Sequence, residues 1–76
     1  MGLFFNSKSP SEKADELVPT YLKLYEFRST EDLIDMANGI NLAIQMATPR
    51  QLSLPPAIDA LAQLKAINQI VTSRRK

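Results

Sequence analysis

LPPAIDALAQLKAINQIV, residues 54–71, is the longest amphipathic segment of the chain, and its reading decides the fold class. At about 100° per residue, Ala57, Ala60, Leu61, Leu64, Ile67 and Val71 share one helical face, with Leu54, Ile58 and Ile70 at its margins and Asn68 inside it. Pro55 and Pro56 suit a first helical turn, where the amides have no intrahelical acceptors. The pattern predicts a helix ending near Thr72 or Ser73, with Arg74, Arg75 and Lys76 complementing its negative end. From Ile58 to Ile70 the apolar arc spans roughly 240°, more than two neighbouring helices in so short a chain easily hide. Part of that arc is therefore expected to meet a second molecule.

Upstream, Thr30 to Ala47 carries the stripe Leu33, Met36, Ala37, Ile40, Ala43, Ile44 and Ala47, which predicts a second helix capped by Ser29 or Thr30. Glu31, Asp32 and Asp35 place negative charge near its positive end. Gly39 weakens its middle or marks a close contact, and Leu42 falls on the polar side. The inner face of the last helix, through Leu61, Leu64 and Ile67, is expected to pack on Ile40 and Ile44. Residues 48–53 read as a connection, stopped by Pro49.

Further upstream, Ser9, Pro10 and Glu12 form a helix start with the elements of a capping box. Ala14, Leu17, Val18, Tyr21, Leu24 and Tyr25 recur at helical spacing across Pro19, which predicts a kink or a split that keeps one buried face. The expected fold is all-α, a small antiparallel bundle of three helical segments in a single domain. Residues 1–8, with the apolar cluster Leu3, Phe4 and Phe5, and the basic tail 73–76 read as flexible ends.

Seventy-six residues lie near the lower limit for a core without disulfide or metal, which favours an oligomer or a bound partner. The chain has no Cys and no His, so thiolate chemistry, imidazole catalysis and the common zinc, haem and copper ligand sets are excluded. No phosphate-cradling glycine loop or nucleophile elbow is present. The acids Glu31, Asp32 and Asp35 lack the alternating ligands of a calcium loop and are accounted for by the helix dipole. No catalytic residue, cofactor or metal is expected. Asp59, Lys65 and several Gln interrupt the best candidate for a membrane span, and MGLFFNSK is too short in apolar residues for a secretory signal. The cytoplasm is the expected compartment.

The formal charge of +1 hides a division: residues 9–35 carry seven acids against three bases, and residues 36–76 carry five bases against one acid. These halves suit pairing within one fold. The leading expectation is a non-enzymatic protein-interaction module, a small adaptor, regulator or inhibitor, acting through apolar helix surfaces and as a homodimer. Leu42, Ile58, Asn68 and Ile70 are its candidate interface residues, Asn68 as an amide fixing register across a helical contact. The alternative is a nucleic-acid accessory protein using Arg50, Arg74, Arg75 and Lys76. The outward side of the last helix argues against it: Asp59, Ala62, Gln63, Ala66, Gln69 and Ser73 leave Lys65 as the one cation before the tail. A membrane-surface module led by Leu3, Phe4 and Phe5 ranks third, with only Lys8 and Lys13 beside the cluster.

Overall fold

The computed structural model describes residues 9–75, and among these the chain is all-α. Four helices pack against one another: α1 (Pro10–Tyr25), α2 (Thr30–Met46), α3 (Pro49–Leu52) and α4 (Pro55–Arg74). The expectations that concern residues 1–8 and Lys76 lie outside the described residues.

Each start is fixed by local chemistry. At α1 the Glu12 amide donates to Ser9 Oγ (3.2 Å) and the Ser9 amide donates to Glu12 Oε1 (3.4 Å), so the capping box closes. Ser29 caps α2, accepting from the Asp32 amide at 3.1 Å. The connection contains a turn of helix of its own, α3. Thr48 accepts from the Gln51 amide (3.2 Å) while Gln51 Oε1 accepts from the Thr48 amide (2.9 Å), a second reciprocal box with Pro49 at the first helical position. Leu54 supplies no side-chain cap to α4, and little is lost: Pro55 and Pro56 carry no amide hydrogen, so two of the four orphan donors do not exist.

Pro19 does not split α1, which runs as one helix through it. The Asp15 carbonyl lacks its intrahelical donor because Pro19 has no amide hydrogen, and Asp15 is exposed, where water can serve it. The buried side of α1 is narrower than the periodicity suggests. Ala14, Val18 and Tyr25 are buried, whereas Leu17 and Leu24 are exposed. In α2, Leu33 and Ala37 are buried, Met36, Ile40 and Ile44 are half-buried against the core, and Ala43 is exposed. Gly39 marks no close contact: a Cβ built there meets open space.

α4 is the hub. The other three helices all pack on it, while α1 and α2 touch each other little. Pairings run in the same order along α1 and α4, from Ala14 with Ile58 and Ala62 to Glu26 with Arg74. They run in opposite order along α2 and α4, from Thr30 with Arg74 to Ile44 with Ala57 and Leu61. The core therefore has two lobes. One joins Tyr25, Leu33 and Ala37 to Leu64 and Ile67; the other joins Ala14 to Ile58 and Ala62. Leu64 and Ile67 lie with Ile40 and Ile44 as the sequence implies, but Leu61 packs beside the second lobe.

This arrangement corrects the reading of α4. Ala62 and Ala66, placed on its outward side by periodicity, are fully buried. Alanine is small enough to let a neighbouring backbone approach closely, and Ala62 meets Ala14 in the α1 seam beside Ile58. Two helices on two sides of α4 cover almost all of its wide apolar arc, and only Leu54, at its start, remains an exposed large apolar residue there.

Candidate functional site

Along the seam between α1 and α4, a polar network is laid over the apolar contact. The Tyr21 hydroxyl donates to Asp59 Oδ1, the Tyr25 hydroxyl donates to Gln63 Oε1 (3.0 Å), and Gln63 Nε2 donates to Asp59 Oδ2 (3.2 Å). Tyr21 and Tyr25, one turn apart, stack with centroids 5.6 Å apart and an interplanar angle of 22°. The Arg28 guanidinium lies 5.9 Å from the Tyr25 ring centroid, within cation–π range. Asp59 and Gln63 are one turn apart on α4, so each tyrosine meets one acceptor in register. The hydrogen bond to the Asp59 carboxylate, with burial, pushes the Tyr21 hydroxyl up from 10.0 to about 12. Burial also raises Tyr25, against the lowering effect of Arg28. Both phenols are thus held protonated as donors, a positioning role rather than that of a general base.

Two cations pin the same seam. Lys65 Nζ donates to the Ser11 carbonyl (3.1 Å), Ser11 Oγ (2.6 Å) and Asp15 Oδ1 (2.6 Å), tying α4 to the first turns of α1. Arg74 donates from Nη1 to Thr30 Oγ1 and from Nη2 to the Glu26 carbonyl, both at 3.0 Å, and so latches the turn between α1 and α2. Of these two cations, Lys65 pairs the basic second half with an acid of the first half, Asp15, while Arg74 meets a hydroxyl and a carbonyl. Sequence spacing gave each of these residues only a local role, because their partners lie 38 to 54 positions away.

The candidate interface residues do not form one surface. Ile58 is buried against Ala14 and Ala62, because α1 covers the margin of the arc on which it lies. Ile70 is half-buried, packs against the core and lines a groove of about 330 Å³ between α1 and α4 with Leu22, Gln69 and Arg74. Asn68 is exposed rather than enclosed, since neither α1 nor α2 reaches over it. It lines a groove of about 270 Å³ on the α2 side with Ile34, Asn38, Asn41 and Val71. Leu42 stands exposed on α2.

The basic residues also separate. Arg74 is occupied by the latch, Arg50 lies in α3, and Arg75 caps α4, all three exposed. Ser73 and Arg74 belong to α4 itself. Among the described residues no three acids gather as a metal site, and no helix is long and apolar enough to cross a membrane.

Apolar exposure instead concentrates away from α4. Phe27, in the turn after α1, is 91% exposed, and Leu24, one turn before it, 61%. On α2, Leu42 and Met46, at i and i+4 on one face, are 57% and 76% exposed. Periodicity hid this. It assigned Leu24 to the buried stripe, and Phe27 and Met46 carried no signal of their own. Comparison of the chain with family models, with curated proteins and with solved structures finds no match.

Proposed function

We propose that this chain is a non-enzymatic protein-interaction module, a small helical bundle whose α1 and α2 surfaces bind another protein, with a second copy of itself as the first partner to test. The reading is carried by the large apolar side chains left in water at Phe27, Leu24, Met46 and Leu42. Single exposed apolar residues are ordinary on a small protein. A phenylalanine 91% exposed beside a leucine 61% exposed, on a chain with so little core to spare, is the kind of anchor that interfaces bury. The reading moves the surface from the margins of α4, which α1 covers, to the outer sides of α1 and α2, and keeps Leu42 from the residues chosen by sequence.

Nucleic-acid binding is disfavoured because Arg74, the central residue of the basic tail, is bonded within the fold. The test is light scattering coupled to size exclusion at several concentrations, on the parent chain and on Leu24→Ser/Phe27→Ser and Leu42→Ser/Met46→Ser variants. Self-association that either pair abolishes, with helical content unchanged, supports the homodimer. A monomer at every concentration removes the homodimer. A monomer for which both variants also leave affinity capture from the native host unchanged sinks the module as a whole.

A further inference from the structure

Where the last turns of α4 lie along α2, the two helices leave a groove of about 270 Å³ between them. Its floor is apolar, made by Ala37 and Ile67, both buried, with the half-buried Val71. Its lips are polar: Asn38 and Asn41 on the α2 side, and Asn68, Thr72 and Arg75 on the α4 side, all five exposed. Neighbours in each row are three or four residues apart, so each row follows one helix face. From Asn68 to Arg75 the α4 lip covers about 10 Å, the length of about three residues of extended chain. Among the described residues, none of these five side chains makes a hydrogen bond or ion pair within the fold. Arg75 differs in this from Lys65 and Arg74, which are occupied by α1 and the turn before α2, and neither Glu31 nor Asp32 of the first α2 turn pairs with it.

We propose that this groove binds the carboxyl-terminal end of an extended peptide, with its last side chain on the floor of Ala37 and Ile67 and its carboxylate on Arg75. The chemistry of the lips selects that class. Asparagine carries both a donor and an acceptor on one short side chain, and three of them in two rows match the alternating N–H and C=O groups of a peptide backbone. The guanidinium at one end of the groove matches a single terminal negative charge, and its planar fork suits a carboxylate. The apolar floor takes an aliphatic side chain. A nucleic-acid strand would call for several cations along the groove, where Arg75 stands alone, and a lone phosphate would leave Asn41 and the floor without a role. The volume falls below the roughly 300–1,000 Å³ of cofactor and drug-sized sites and suits one or two residues. The site uses none of Phe27, Leu24, Leu42 or Met46, so it stands or falls independently of the surface proposed above.

The probe is the peptide N-acetyl-Ala-Ala-Leu with a free carboxylate, titrated into the isotope-labelled full chain and followed by NMR. Saturable shifts are expected at the backbone amides of residues 37–41 and 67–75 and at the side-chain amides of Asn38, Asn41 and Asn68. Amidating the probe's carboxylate should weaken binding about tenfold. Arg75→Gln should lower the free acid to the level of the amidated probe and leave the amidated probe unchanged. Asn68→Ala should weaken both probes several-fold, and Arg50→Gln on α3 should change neither. The same spectra show whether each variant is folded, since unfolding collapses their dispersion. Absence of a saturable shift at millimolar probe overturns the proposal, as does equal binding of the free and amidated probes. N-acetyl-leucine bound as tightly as the longer probe also overturns it, assigning the groove to small carboxylic acids. Shifts centred on Phe27 and Met46 overturn it as well, assigning the peptide to the apolar surface.

Discussion

The two seams of α4 are built on different principles. Against α1 the core contact uses small residues, with Ala14 on Ile58 and Ala62, and it is bracketed along its length by Tyr21 to Asp59, Tyr25 to Gln63, Lys65 to Asp15 and Arg74 to Glu26. Against α2 it is apolar and less extensive, Leu33 and Ala37 on Leu64 and Ile67, with Arg74 to Thr30 the one side-chain hydrogen bond across it among those described. Polar bonds with defined partners fix register, and apolar burial supplies stability without direction. α1 is therefore the positioned neighbour of α4 and α2 the adhesive one.

The contrast can be broken most severely from the adhesive side. Ile67 is essentially fully buried in the lobe that joins all three long helices, so Ile67→Ala is expected to cost about 2–5 kcal/mol. In a domain this small that approaches the whole folding free energy, and thermal melting should show a largely unfolded chain. Next comes overpacking of the α1 seam. Ala62→Leu adds volume where Ala14 already touches and should cost about 1–3 kcal/mol, read from urea midpoints, while Ala43→Leu on exposed α2 should be nearly neutral.

Removing one positioned bond is smaller. Tyr21→Phe should cost about 0.5–1.5 kcal/mol near neutral pH. Its pH signature separates it from a packing defect. The folded pKa of Tyr21 lies above its unfolded value, so its contribution is fully present below pH 10 and is lost as pH rises through about 12. With two tyrosines and no tryptophan, tyrosinate absorbance should show at least one phenol ionising late, and Tyr21→Phe should remove that late step. If both phenols ionise normally in the folded chain, the bond to Asp59 is absent in solution. The smallest change has the opposite sign: Gly39→Ala meets no atom and should stabilise by about 0.5–1 kcal/mol, raising the melting temperature without altering association.

The difference between the seams also explains what the sequence disclosed. Helix starts depend on neighbours three residues apart, so Ser9 with Glu12 was readable from the string and the α2 cap was narrowed to Ser29 or Thr30, of which the structure uses Ser29. Thr48 with Gln51 carries the same signature and makes α3 a helix where a connection was expected. The apolar stripe of α2 was legible in its main residues because one neighbour covers it. α4 was not, because two neighbours lie on different sides and alanine suits either a buried or an exposed face. Ala62 and Ala66 were therefore turned outward and Ile58 given to a partner. The polar bracket was illegible for a separate reason. Tyr21, Asp59, Gln63 and Lys65 acquire their roles only when segments some forty positions apart come together.

Because α1 and α2 both rest on α4 and scarcely on each other, the order in which the polypeptide is made matters to how it folds. The first two helices can nucleate at their caps as soon as they are synthesised, but isolated helices of 16 and 17 residues are marginal in water. Their consolidating contacts must wait for residues 58–74. The fold therefore arrives late and nearly all at once. Until it does, Leu33, Val18 and Tyr25 are as exposed as Phe27, and a nascent chain halted before α4 is the form most prone to capture by chaperones or to aggregation.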